Sequence, residues 1–356
     1  MIAAFVATLL APSGKMLLGP PEPWEITENR HPAPAPTLPT RAEEVAELPA
    51  RFGRWFEDRF GFRRSLIRAN ALVSAHVFGI SPHRDVLLGE EGWLFYQGRG
   101  VLEVSRGDRP LSRPTLDAWA SVLERRRRWL AERGASYVFV VVPEKSTIYP
   151  GLVPERLRPP AGRSRLDQLV AHLRQHTSVV VVDPRQALRH AARAEQVYYR
   201  TDQHFNDLGA WITYREIVAA ARGAIPAARA LDLDDHLIER RRGRGGDLAA
   251  MIALPEDILE DELLLRPRYR PRLSRDSVMR HGPRPLVTRG EAGSGGIVMF
   301  RDSYGAWLIP FLAEHFADGT YLWQYEFDRD VILRSRPTLV VEEVAERRLM
   351  QAPPAM

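Results

Sequence analysis

Four apolar runs limit what this chain can become more than any other feature. Tyr137 to Val142 reads YVFVVV and stops at Pro143, and Val179 to Val182 stops at Asp183-Pro184. Ile297 to Phe300 runs straight into Arg301-Asp302-Ser303-Tyr304-Gly305, and Leu339 to Val341 follows near the end. A continuous apolar run shorter than a helix is a strand covered on both faces. The first is preceded by a helical stripe, Leu116, Trp119, Leu123 and Leu130, ending at Gly134, and the second by Leu166, Leu169, Val170 and Leu173. Another helix is expected from Gly305 to about Phe316, then a strand at Thr320 to Trp323. Strands that alternate with helices imply an α/β fold with a mostly parallel sheet. Ligands of such sheets bind beyond the carboxyl ends of the strands, where the segment after Pro143, Asp183 and Ser303 all fall.

The flanking segments read differently. Ile2 to Ala11 is an apolar run of ten residues, about half of the ~20 needed to span a bilayer. It reads as the remainder of a signal or anchor, or as a frayed helix. Gly19 to Pro39 is too rich in proline for a helix or central strand, so residues 1–40 form an anchor remnant and extended arm. The body is expected over 41–356. Phe52, Trp55, Phe56, Phe60, Leu66 and Ile67 recur at roughly helical spacing and read as core. Asp85 to Tyr96, DVLLGEEGWLFY, reads as a hairpin. Residues 240–296 are weakly patterned, with Arg-Gly-Arg-Gly-Gly and Gly293-Ser294-Gly295-Gly296; they are too long for an ordinary connection and are expected to be an insertion or lid.

Composition removes several classes of function. The net charge is only +5, lysine occurs only at positions 15 and 145, and there is no cysteine. Disulfides, Cys-ligated zinc and a thiol nucleophile are excluded. The arginine runs at 125–128 and 240–244 fall in a helix pattern and a glycine-rich loop, without the interleaved aromatics of a nucleic-acid stripe. No nucleic-acid partner is expected, and no cofactor.

Three segments carry residues suited to chemistry. Ser303 lies between a buried strand and a helix, with Gly305 relieving the turn, as in a nucleophile elbow; it is equally placed to cap the helix. Thr201-Asp202-Gln203-His204-Phe205-Asn206 puts a carboxylate two residues from an imidazole, the pair that can activate a serine. Asp202 or Asn206 can alternatively cap the next helix. Asp-x-His can also ligate a metal, but no other cluster completes a set, so no metal is expected. Lys145, in Pro143-Glu144-Lys145-Ser146-Thr147-Ile148-Tyr149, can bind an anion or form a salt bridge. Arg301, Tyr304, Asn206, Lys145 and Tyr149 are the further candidates for substrate or oxyanion contacts. The other histidines, among them His172 and His315, read as structural.

DVLLGEEGWLFY, VVPEKSTIYPG, YYRTDQHFNDLGA, GGDLAAM and FRDSYGAWLIPFLAEHF, with Glu28-Asn29-Arg30 before them and VVEEVAERRL after them, occur in the order seen in the alginate O-acetyltransferase family. The chain resembles that family from about residue 25 to 349. The resemblance implies a three-layer α/β/α sandwich, SGNH-hydrolase-like, with the motif order permuted so that Asp-x-His precedes the serine. It implies Ser303 as nucleophile, His204 as general base and Asp202 as its orienting carboxylate. Phe205 stands where the family often has Trp, and Gln203 where it often has Thr or Lys. The implied reaction passes an acetyl group through a serine ester to a hydroxyl of an exported polysaccharide, in the periplasm, with a membrane-bound O-acyltransferase as donor partner. A carbohydrate-binding module, present after the catalytic domain in some members, is not expected here. An acetylesterase and a non-catalytic assembly subunit remain open as alternatives.

Overall fold

The computed structural model describes residues 1–19, 32–158, 164–224, 229–290, 293–354 and 356. Ten strands are present among them: β1 Val86–Leu88, β2 Leu94–Tyr96, β3 Ser136–Val142, β4 Val180–Val182, β5 His236–Gly243, β6 Glu260–Pro267, β7 Leu286–Arg289, β8 Gly296–Arg301, β9 Asp318–Trp323 and β10 Leu339–Ala345. Six form the central sheet in the order β4-β3-β10-β8-β9-β7. All neighbours are parallel except the last, where β7 runs antiparallel to β9. The expected α/β architecture with a mostly parallel sheet is therefore present.

Alternating side chains of β3 feed two cores. Tyr137, Phe139 and Val141 pack with Trp119, Leu123, Leu166, Leu173 and Ile332, from the helices Arg113–Ala131, Arg165–His176 and Arg329–Ser335. Val138, Val140 and Val142 pack with Ala210, Tyr214, Ile217, Leu308 and Phe311, from the helices Asp207–Ala220 and Gly305–Leu312. Helices thus cover both faces, and continuous apolar strands follow. The edge strand β4 departs from this pattern, since Val180 is exposed.

The strand at Leu339 does not stop at Val341. It continues through Glu342 and Glu343 to Ala345, fully buried throughout. Two carboxyl groups survive in the middle of a sheet because each has its own partners. Glu342 accepts from Arg126 and the Tyr137 hydroxyl on one face, while Glu343 accepts the Asp302 N–H at 3.0 Å on the other. A sequence pattern stops at Glu342, whose partners Arg126 and Tyr137 are more than 200 residues away.

The aromatic stripe after residue 50 is not core. The helix Ala42–Arg59 buries none of its residues, and Phe52, Leu66 and Ile67 are exposed. Phe52, Trp55, Phe56 and Phe60 instead pack in sequence on one another, with centroids 5.6–6.0 Å apart. Helical spacing reports an apolar face, not what covers it. Residues 2–18 form a helix, and no helix among the described residues is long and apolar enough to cross a membrane. Most of the proline-rich arm, residues 20–31 with the Glu28-Asn29-Arg30 motif, lies outside the described residues; 33–39 have no regular structure.

The expected hairpin is β1–β2, paired Val86 to Tyr96. The region expected as an insertion begins earlier, at His236, as an antiparallel ribbon of β5 and β6 with the helix Asp247–Met251 between its strands. Its later part belongs to the central sheet through β7 and the start of β8, with residues 291–292 outside the described ones.

Breaking the buried Arg126–Glu342 pair from one side strands a charge in the core, which costs about 3–5 kcal/mol. Urea denaturation should therefore show Arg126→Ala losing stability on that scale, and Arg126→Met combined with Glu342→Gln recovering most of it. Losses below about 1 kcal/mol for the single variant would place the pair among the weak surface type.

Candidate active site

Neighbouring strands β3, β10 and β8 end side by side, so the residues after them share one rim: Glu144 and Lys145 after β3, Arg347 after β10, and Ser303 after β8. The elbow at Ser303 is built by Asp302. Its carboxylate accepts the Tyr304 N–H at 2.9 Å, the Ala345 N–H at 2.8 Å and the Tyr325 hydroxyl at 3.1 Å. The Asp302 side chain thereby makes the tight turn that Asp favours, and the Ser303 hydroxyl is left out of capping. A Cβ at Gly305 would come within 2.6 Å of the Arg301 side chain, so the helix can start this close to the strand only with glycine there. Among the described residues no acceptor takes the Ser303 N–H, which leaves it available to an oxyanion.

The segment 197–206 folds back over this rim. Tyr198 bridges Phe205, the Tyr199 N–H reaches the His204 carbonyl at 3.1 Å, and the Asn206 N–H reaches that of Val197 at 3.1 Å. Lys145 inserts beneath and donates to the carbonyls of Tyr199, Arg200 and Asp202 at 3.0, 3.0 and 2.7 Å. Glu260 on β6 accepts the N–H groups of Arg200 and Thr201 at 3.0 and 2.6 Å.

So held, His204 joins Asp202 to Ser303. Asp202 Oδ1 lies 2.7 Å from Nδ1, and Nε2 lies 2.9 Å from Ser303 Oγ. Burial opposes ionisation of Asp202, but His204 and two backbone N–H groups outweigh it and take the pKa down to about 2. An ionised carboxylate only accepts, so Nδ1 carries the proton, and neutral imidazole then presents Nε2 as acceptor to the serine hydroxyl. Burial opposes the protonated form of His204 as well, and Asp202, with a smaller push from Asp247, outweighs it to raise the pKa above the ordinary value. This arrangement can take a proton from Ser303 and hold it while the oxygen attacks an acyl carbon.

The sequence reading missed Asp247 and Arg347. Asp247 Oδ1 accepts the Gln203 N–H at 2.8 Å, its own N–H reaches Asp202 Oδ2 at 3.1 Å, and its Oδ2 lies 3.9 Å from His204 Nδ1. A Cβ at Gly246 would come within 2.5 Å of Asp202, so the Gly-Gly before Asp247 permits this approach. Burial and the Asp202 charge push Asp247 up to about 6. Arg347 is held by the Glu144 carboxylate and lies over the Tyr304 ring at 5.5 Å. The Gly-Gly-Asp motif and the late Glu-Arg-Arg were the only signals for either.

Several expected contacts are structural instead. Asn206 caps the helix Asp207–Ala220 by accepting the Gly209 N–H at 3.0 Å. Lys145 spends its ammonium on three carbonyls, so it holds the histidine loop rather than an anion. The Tyr149 hydroxyl accepts the Val197 N–H at 2.9 Å and braces the same loop. Arg301 is buried behind the elbow, donating to the Asp302 carbonyl at 3.0 Å with its guanidinium over Trp323. Tyr304 is buried with its hydroxyl on the Gln203 carbonyl at 2.9 Å and its ring edge-on to His204, so it positions the base. Each of the five is turned inward by a backbone or ring partner that sequence position alone does not disclose.

Asp247 supplies the third group that a metal set requires, its ligand atom lying within 4.8 Å of those of Asp202 and His204. The donor chemistry favours the triad over an ion, because Nδ1 already gives its proton to Asp202 and Asp247 accepts a backbone N–H. Turnover should consequently be unchanged after dialysis against a strong chelator; loss restored by Zn²⁺ would assign these residues to a metal. Asp247→Asn removes a negative charge near the imidazole and should move the acidic limb of the pH–rate profile down by about one unit. The sign follows from the neutral base being the active form and losing a charge that favours its protonation. An unmoved limb would show Asp247 to act on loop geometry alone.

Residues 86–279 match the family model of the SGNH hydrolase-like domain of the acetyltransferase AlgX. That span holds Asp202, His204 and Asp247 and ends before Ser303, whose place rests on the geometry above. The probable alginate O-acetylase AlgJ of Pseudomonas aeruginosa is 30% identical over 223 residues, 61% of this chain and 52% of that protein. The chain thus spans about half the length of this curated relative. Among solved structures, a DHHW family protein from Eubacterium siraeum aligns with a TM-score of 0.53 at 17% identity, over 68% of this chain and 87% of its own. PatB1 of Bacillus cereus, solved with a sulfonyl adduct, aligns with a TM-score of 0.50 at 12% identity, over 74% and 97%. Identities this low show a shared fold only. The family match covers more than half of the chain, which therefore belongs to the SGNH hydrolase-like acetyltransferases of the AlgX family.

Proposed function

We propose that the chain is a polysaccharide O-acetyltransferase that works through an acetyl ester on Ser303. The observation carrying this reading is the unbroken hydrogen-bond path from Asp202 through His204 to Ser303 Oγ. In the first half-reaction His204 Nε2 takes the hydroxyl proton as Oγ attacks the acetyl carbonyl. The oxygen that becomes negative lies within reach of the Ser303 N–H, and the imidazolium returns its proton to the departing group. In the second, a sugar hydroxyl gives its proton to Nε2 and attacks the serine ester, freeing Oγ, which recovers the proton. Asp202 stays ionised throughout and compensates the imidazolium.

The acceptor is an exported polysaccharide, with alginate favoured by the 30% identity to a probable alginate O-acetylase. The donor side is a membrane-bound O-acyltransferase partner, and the compartment is the periplasm. Both are carried over from the resemblance to the family, in which acetyl groups reach an exported polymer through such a partner.

The test combines a chromogenic acetyl ester with oligomannuronate and follows ester loss and sugar mass together. Wild type should add one acetyl mass to the sugar, and Ser303→Ala should lower turnover by at least about 10³-fold. Ester loss with no sugar product in any acidic or neutral oligosaccharide would mark an esterase. No turnover with either substrate would favour an assembly role.

A further inference from the structure

Strand β9 ends in an aromatic ring beside the nucleophile. Trp323 pairs in register with Arg301 of β8, and Ser303 follows two residues after Arg301. With strands about 4.8 Å apart and at most about 3.6 Å per residue along them, the Cα atoms of Trp323 and Ser303 lie within about 12 Å of each other. The two are also tied through the elbow, because the Tyr325 hydroxyl donates to the Asp302 carboxylate at 3.1 Å. The sequence reading ended a strand at Trp323 and gave the residue no role.

Three observations bear on what this ring meets. First, Trp323 is 40% exposed, and among the described tryptophans it alone is exposed. A single exposed apolar side chain is ordinary on a protein surface; the place beside the serine and the bracing set this one apart. Second, the ring is held from behind. The Arg301 guanidinium lies over one face, 4.5 Å from the centroid, and is itself buried, donating to the Asp302 carbonyl at 3.0 Å. The Arg301 side chain is pressed against Gly305, where a Cβ would come within 2.6 Å of it. One face of the indole is therefore covered by a fixed cation, and the exposed area belongs to the other face and the edge. Third, the charges nearby disfavour holding an acidic acceptor by its carboxylate. Asp202, Asp247 and Glu144 lie on the same rim, and Glu326 is exposed three residues after Trp323. Of the cations, Arg301 is buried behind the ring and Arg347 is held by Glu144. A flat aromatic face packs on the apolar C–H face of a pyranose ring whatever charge the sugar carries.

We propose that Trp323 is the platform on which the acceptor sugar stacks, its uncovered face holding a pyranose ring of the polysaccharide next to the ester on Ser303. The inference rests on the reading of the protein as a sugar O-acetyltransferase and adds that the acceptor is held by ring shape rather than by charge. The platform serves the second half-reaction and leaves the first, which involves no sugar, unaffected.

Trp323→Leu keeps an apolar cover over Arg301 and removes the aromatic face. Ester turnover without sugar should stay within about twofold of wild type, which also reports an intact fold, while KM for oligomannuronate rises about tenfold at little changed kcat, the pattern of lost ground-state binding. Trp323→Tyr, which keeps a ring, should hold KM within about threefold of wild type. An unchanged KM in Trp323→Leu would overturn the proposal and leave the ring to a contact with another protein.

Two measurements need no acetyl transfer. In titration calorimetry the Ser303→Ala protein should bind oligomannuronate and a neutral oligomannose, and the added Trp323→Leu change should weaken both about tenfold. In the wild-type protein, oxidation of Trp323 by N-bromosuccinimide, mapped by mass spectrometry, should slow when either sugar is present. Weakened binding and a protected Trp323 without any transfer would support the platform and count against the transferase reading alone. Binding of the acidic sugar only would overturn recognition by shape. Equal affinity with and without Trp323→Leu, no binding of either sugar, or an unprotected Trp323 would overturn the platform.

Discussion

One buried ammonium holds the catalytic arrangement together. Lys145 follows directly on the central strand β3, and its three bonds go to the carbonyls of Tyr199, Arg200 and Asp202. Burial lowers its pKa to about 8, with Asp202, Asp247, Glu260 and Glu144 opposing the fall. It stays mostly charged at neutral pH, and charge-assisted bonds to carbonyls are about twice as strong as neutral ones. The histidine loop is thereby tied to the sheet that carries Ser303. A base on an untethered loop would not keep 2.9 Å to a hydroxyl on another element, and proton transfer depends steeply on that distance.

The rim around this lysine is rich in acids that would be intolerable without partners. Glu346 accepts the Glu144 N–H and the Thr147 hydroxyl, and burial lifts its pKa to about 7. Glu343 lies under the elbow, its pKa raised well above the usual carboxylate range by burial and then by Asp302. Glu144 holds Arg347 over Tyr304, and Tyr304 in turn braces His204. The bonds these groups make hold Arg347, Tyr304 and His204 in place before any substrate arrives.

Much of this could be read in the residues, and the reasons it stopped are physical. Strand cores, the hairpin and the two helices before β3 and β4 were legible because periodicity reflects which face is covered. Periodicity misled for the helix Ala42–Arg59, whose aromatic side chains pack on one another without any residue of the helix being buried, and it ended β10 early at Glu342 because ion pairing with Arg126 leaves no local trace. The three residues Asp202, His204 and Ser303 were legible as chemistry, since only a few residue types can supply a nucleophile, a base near neutral pKa and a carboxylate.

Local sequence determined the strand–turn–helix at Ser303 and the proximity of Asp202 to His204, because both are set by residues within five positions. Tertiary structure alone decided that the two segments meet. It brought together chain separated by 99 positions by ordering β3, β10 and β8 side by side and anchoring one loop across their ends. It also decided that Lys145, Tyr149, Asn206 and Arg301 turn inward to backbone and ring partners, and that Asp247 arrives from a ribbon beyond the helix. Contact between distant segments depends on the pairing of strands and the burial of their faces, and a linear pattern carries the propensity for each but not the choice of neighbour.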